Sequence, residues 1–189
     1  MEASLIISFC ALLVSAFTAY LTLFRRGTVK ATKPSVIYFG PDGGRAEGLL
    51  PDKPKVFLRF LLFSTGKRGQ IVETMFVTLR RGETRQTFGV WVYGDDKLAR
   101  GSGLFVGESG IVCNHHFLLP RDGTSYSFLA GTYRVDVYAS LVGSSATLHL
   151  ISAELNVSES ISSQLQQNPC GVYFDWGPDS GRYHAHLGN

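Results

Sequence analysis

The 189-residue chain carries 18 Lys and Arg against 15 Asp and Glu, a net charge of +3. The whole excess lies in residues 2–33, where Arg25, Arg26, Lys30 and Lys33 face Glu2 alone. The remainder is neutral, which speaks against nucleic acid as a partner, because that needs a basic face on the domain itself. Of the three cysteines none forms a Cys-x-x-Cys pair, so the strong zinc and thiol-redox signatures are absent.

From Leu5 to Phe24 the sequence reads LIISFCALLVSAFTAYLTLF without a charge. About 20 residues of α-helix rise roughly 30 Å, the thickness of the hydrocarbon layer. Residues 1–26 are therefore expected to be a transmembrane anchor that makes the lipid bilayer the first partner. A cleaved signal peptide fits less well. Met1-Glu2-Ala3-Ser4 holds no basic residue, and the apolar run continues past the possible cleavage site at Val14-Ser15-Ala16. Arg25, Arg26, Lys30 and Lys33 follow the helix at once, so the positive-inside rule puts the domain in the cytoplasm and the short N-terminus outside. The same basic flank suits anionic headgroups.

Residues 27–54 read as a proline-rich juxtamembrane tether with one short strand, Ser35 to Phe39. A β pattern then runs over residues 55–157. Lys55 to Ser64 is apolar on both parities, as in a strand covered on both sides or one near the membrane. Met75, Val77 and Leu79 share the inward face of the next strand. Thr84 to Tyr93 reads as one strand with Phe88, Val90 and Val92 inward. The glycine-rich stretch Gly101 to Gly110 suggests irregular structure or short edge strands, and no helix pattern follows it to make a phosphate loop.

Thr132 to Leu141 is the clearest strand. Tyr133, Val135, Val137, Ala139 and Leu141 fall on the core parity, and Arg134, Asp136, Tyr138 and Ser140 on the other. On that parity Asp136 should tolerate replacement by Ala at little cost, unless that face is an interface. The following strand, Ala146 to Val157, changes phase between Leu150 and Ile151, the mark of a β-bulge. Residues 158–189 are expected to form a short polar helix capped by Ser158 or Ser160, then a hairpin of Val172 to Trp176 with Arg182 to Leu187.

Phe128-Leu129-Ala130-Gly131-Thr132-Tyr133-Arg134-Val135-Asp136-Val137 resembles the penultimate strand of immunoglobulin-like and fibronectin type III-like sandwiches, in which a tyrosine closes a corner onto the preceding loop. The resemblance covers about ten residues closely and 55–157 loosely. It implies an all-β, immunoglobulin-like antiparallel β-sandwich behind one N-terminal transmembrane α-helix. It further implies a recognition or scaffold module and no enzyme. Cys113 and Cys170 do not stand where an antibody-type bridge would.

Candidate chemistry is sparse. His184 and His186, two apart on a strand, share a face, and so do Cys113 and His115; these four supply zinc or copper ligand types. Nothing in the sequence brings the two pairs together, so no metal and no cofactor is expected. No Gly-x-Ser-x-Gly elbow occurs. Tyr93, Trp91, Tyr138 and Trp176 are candidates for a protein-recognition surface, with Trp91 and Trp176 alternatively filling the ends of the core. The expected function is a membrane-bound protein-interaction or scaffold module. The alternative is a ligand- or metal-binding sandwich on the outer face of the membrane, with a possible Cys113–Cys170 bridge.

Overall fold

A computed structural model describes residues 2–24, 27–42, 53–95, 97–101 and 103–188, without the side chain of Leu23. Arg25, Arg26 and the Gly43-Gly44 part of the expected turn lie outside these residues, as do Pro51 and Asp96.

Helix α1 spans Glu2–Ala19 and ends in one π-helical turn, Tyr20–Phe24. None of its residues is buried against the rest of the chain. It is the one helix among the described residues long and apolar enough to cross a membrane. Its hydroxyls are satisfied internally: Ser8 donates to Ser4 O at 2.9 Å, Thr18 to Val14 O and Thr22 to Thr18 O, both at 2.8 Å. Such back-bonding removes the cost of placing a hydroxyl in hydrocarbon.

The domain is a two-sheet antiparallel sandwich. Its strands are β1 Val29–Ala31, β2 Val36–Pro41, β3 Pro54–Ser64, β4 Gln70–Arg81, β5 Thr84–Phe88, β6 Val90–Tyr93 and β7 Ala99–Arg100. They continue with β8 Leu104–Val106, β9 Ile111–Leu118, β10 Gly131–Leu141, β11 Thr147–Val157, β12 Gly171–Gly177 and β13 Arg182–Gly188. One sheet, here sheet A, runs β13-β12-β2-β3-β9-β6-β7, with β1 also on β3. Sheet B runs β11-β10-β4-β5, with β8 also on β4. The core between them is made by the alternate residues of each strand, including Ile37, Phe39, Leu58, Val77, Phe117, Val135, Val137 and Phe174.

Three departures from the sequence reading have physical causes. Residues 29–41 are not outside the core: β1 and β2 line one edge of β3, and Ile37 and Phe39 are fully buried. The prolines mislead there, because Pro34 occupies the break between β1 and β2, where no ladder amide is needed. Second, Thr84 to Tyr93 is two strands. β5 pairs in sheet B through Phe88–Val77, and β6 pairs in sheet A through Val90–Leu118. The chain crosses between layers at Gly89, so the inward parity shifts from Phe88 to Trp91, and Val90 and Val92 face outward. Third, Asp136 is buried on the outer face of sheet B.

Other expectations match the structure. Leu150 has no partner between Ile151–Val137 and His149–Tyr138, which is the bulge. Helix α2, Glu159–Gln167, is capped by the Ser158 hydroxyl. The expectation for β3 holds only in part: it lies inside sheet A with neighbours on both edges, but Phe57, Leu61 and Phe63 on its outer side are half-buried and not covered.

Candidate functional site

The four residues with metal-ligand side chains do not converge. Cys113 and His115 share a face of β9, as read from their spacing, and it is the core face. His184 and His186 share the outer face of β13, four strand spacings away and about 19 Å along the sheet. There His184 Nε2 lies 2.8 Å from Ser180 Oγ, and His186 Nδ1 lies 3.4 Å from Asp175 Oδ2. Among the described residues no three His, Cys, Asp or Glu side chains gather in a metal-binding arrangement.

The inward pair forms a buried polar chain. Trp91 Nε1–H donates to His115 Nδ1 at 3.1 Å. An indole only donates, so Nδ1 accepts and the ring proton sits on Nε2, 3.3 Å from Cys113 Sγ. Phe60 stacks on the imidazole with ring centroids 4.3 Å apart. Burial, then the neighbouring His116, pushes the His115 pKa down to about 3, and burial raises the Cys113 thiol to about 11. A neutral imidazole beside a protonated thiol is not an activated nucleophile, which would need the thiolate. Trp91 is thereby a core residue and leaves the set of candidate surface aromatics.

All three cysteines are free. Cys113 is in the core, whereas Cys170 Sγ sits 3.6 Å from Gln164 O beside α2. The possible Cys113–Cys170 bridge is therefore not formed.

The outer face of sheet B holds a cluster invisible to strand parity. Asp136 is 2% exposed, with His149 Nε2 at 3.1 Å from Oδ1 and Arg134 Nε at 3.2 Å from Oδ2. Burial raises its pKa, but hydrogen bonds from Ser152, His149 and Arg134, with the Arg134 charge, outweigh burial and hold the carboxyl below its ordinary value. The ring of Tyr138 lies between those of Phe76 and His149, each 5.1 Å away. Beneath them the hydroxyl of buried Thr78, the register partner of Asp136, has no hydrogen-bond partner among the described residues.

The outer face of sheet A carries a single register row across five neighbouring strands: His186, Tyr173, Tyr38, Phe57 and His116. Ring centroids are 5.6 Å apart for His186–Tyr173, 4.7 Å for Tyr173–Tyr38 and 5.1 Å for Phe57–His116. The adjoining row is polar except for Val36: His184, Asp175, Val36, Arg59 and Asn114. Arg59 Nη1 bonds Asn114 Oδ1 at 2.8 Å and Asp95 Oδ1 at 2.9 Å. Strand pairing across distant sequence makes this row, so no local pattern announces it. Of the remaining candidate aromatics, Tyr93 donates to Gly103 O at 2.8 Å. Trp176 packs edge-on to Tyr183 at the far edge of the sheet, with Lys33 Nζ 4.1 Å above its ring.

The helix enters the sandwich through a braced junction. Thr28 N–H donates to Thr65 Oγ1 and Thr65 N–H to Thr28 O, each at 2.9 Å, and Gln70 Nε2 donates to Gly27 O at 3.0 Å. A Cβ on Gly27 would collide with the Gly66 backbone, so the close approach requires glycine. Of the two basic flank residues described, Lys30 is exposed, and Lys33 is engaged by Trp176.

At the opposite end a cleft of about 560 Å³ opens between Pro41, Pro54, Tyr126, Phe128, Leu165 and Cys170. Pro41 and Pro54 on its rim are the last residue of β2 and the first of β3. Compared with known proteins, the sequence matches no family model and no curated protein.

Proposed function

We propose that the chain is a single-pass membrane protein whose immunoglobulin-like sandwich binds another protein on the cytoplasmic side, as a recognition or scaffold module without catalysis. The observation that carries this reading is the junction. An apolar helix with no buried residue passes within four residues into a strand of the sandwich and is braced there. A helix apolar all round and uncovered by its own domain finds its apolar surroundings in lipid.

The immunoglobulin-like assignment is supported by Tyr133, whose buried ring donates its hydroxyl to Leu129 O at 2.7 Å. It closes the turn before β10 as the tyrosine corner does in that superfamily. The cytoplasmic side is supported by Arg25, Arg26, Lys30 and Lys33 on the domain side of the helix and by free thiols. A protein partner is supported by the sheet A row, since rigid aromatic side chains edged by polar ones make the centres of protein interfaces.

A photo-crosslinking residue at position 173 tests this, with one at Thr87 on the outer face of sheet B as the comparison. A discrete protein adduct is expected from position 173 and not from 87, and Tyr38→Ala should abolish it. Equal labelling from both positions, or none from 173, would remove the row as the binding face.

A further inference from the structure

Outside the helix, the large hydrophobic side chains most exposed among the described residues are Ile71, Leu98, Phe105, Val112, Leu129 and Val142. Three of the six gather at the end of the sandwich that the helix enters. Ile71 at the start of β4 pairs with Phe105 of β8, and these are 45% and 62% exposed. Val142, just past β10, donates its amide to Ile71 O at 3.0 Å. Val112, opposite Leu61 near the same end of β3, lies on the outer face of the other sheet and stands apart from these three. Such grouping is unlike scattered surface apolar residues and marks a contact surface.

Position decides what covers it. Residues 24 to 28 can reach at most about 14 Å when fully extended. Thr28, Gly27 and Gly66 are then held together by the hydrogen bonds and the close approach described above. Thr65, Gly66, Lys67 and Glu108 of this end line a cleft together with Thr18, Leu21 and Thr22 of the helix. The end is thus level with the last turns of the helix, where no globular partner fits beneath it. Lys67 and Arg68 in the β3–β4 turn and Lys30 in β1 outnumber Glu73 and Glu108.

We infer that this end of the sandwich seats on an anionic lipid surface. Phe105, Ile71 and Val142 enter the interfacial layer and the basic turn meets the headgroups. The inference rests on reading the helix as a membrane anchor. It adds that the domain is held in one orientation, with the sheet faces standing away from the bilayer and open to a partner.

The test uses the full chain with Cys10→Ser and Cys170→Ser, leaving buried Cys113, and reconstituted in vesicles containing phosphatidylserine. An environment-sensitive fluorophore is attached at Phe105→Cys, Val142→Cys or, at the opposite end, Ser163→Cys. The expected result is blue-shifted emission and strong quenching by spin-labelled lipid at 105 and 142, with neither at 163. Protein that floats with the vesicles while 105 and 142 stay as water-exposed as 163 would overturn the seat and spare the anchor. A shielded probe that lipid does not quench would overturn it as well, in favour of a protein contact. Protein that does not float would remove anchor and seat together.

Discussion

His115 accepts the Trp91 indole N–H on its Nδ1 atom inside the core, and the acceptance requires the imidazole to be neutral. Protonation would put a second donor against the indole and strand a charge under Phe60. The folded-state pKa of about 3 lies below the ordinary 6.5, so the unfolded chain takes up the proton first. Stability from this group is complete above pH 6.5 and is lost as pH falls toward 3. At pH 5 the loss should be about 2 kcal/mol from His115 alone. His116, pushed down to about 4 by burial and then by Lys55, adds in the same direction. Urea unfolding of the purified protein from pH 8 to 4 measures this, and His115→Phe should flatten the slope. A pH-independent midpoint over that range would contradict it.

Asp136→Ala should destabilise the domain by about 1–3 kcal/mol, because it removes charge-assisted hydrogen bonds from His149 and Arg134. Its folded-state pKa is depressed, so that stability is present above the ordinary carboxylate pKa and is lost as acid protonates the group. Val137→Asp, one residue on and fully buried, should prevent folding by placing an unpaired carboxylate between Val77 and Ile151. Thermal melts of the two variants check both statements; an Asp136→Ala melt equal to wild type would dismiss the cluster.

Parity made Tyr133, Val135, Val137, Ala139 and Leu141 legible because period two is a property of one strand alone. The bulge at Leu150 was legible for the same reason, as a break in that period. Asp136 was not. Its partners are Arg134 on its own strand and Ser152 and His149 on β11, and the register that brings His149 to it depends on the bulge itself. The layer change at Gly89 was missed because a crossing of one residue leaves the run of apolar residues unbroken. The sheet A row needed strands from residues 38, 57, 116, 173 and 186 to be set side by side, which no local window contains.

Tyr133→Phe keeps the ring and deletes the hydroxyl bonded to Leu129 O. The expected cost is about 1 kcal/mol, the net worth of one such bond. Chemical denaturation of purified protein measures it, and no loss would mean the corner adds nothing to stability.

Orientation has its own readout. A reporter fused after Asn189 and active only in the cytoplasm should be active. Neutralising Arg25, Arg26, Lys30 and Lys33 together should shift part of the population to the other side. Digestion of the domain by protease added outside intact cells would place it on the wrong side.

Membrane attachment through α1 is the central claim, and alkaline extraction of the full chain tests it most directly. The wild-type protein should stay in the membrane pellet through high salt and carbonate. Leu12→Arg with Leu13→Arg should release it, since each charge at a helix centre costs about 2.5–3.5 kcal/mol on insertion scales. Wild-type protein recovered in the supernatant, or a mature N-terminus found near Phe17, would contradict the account.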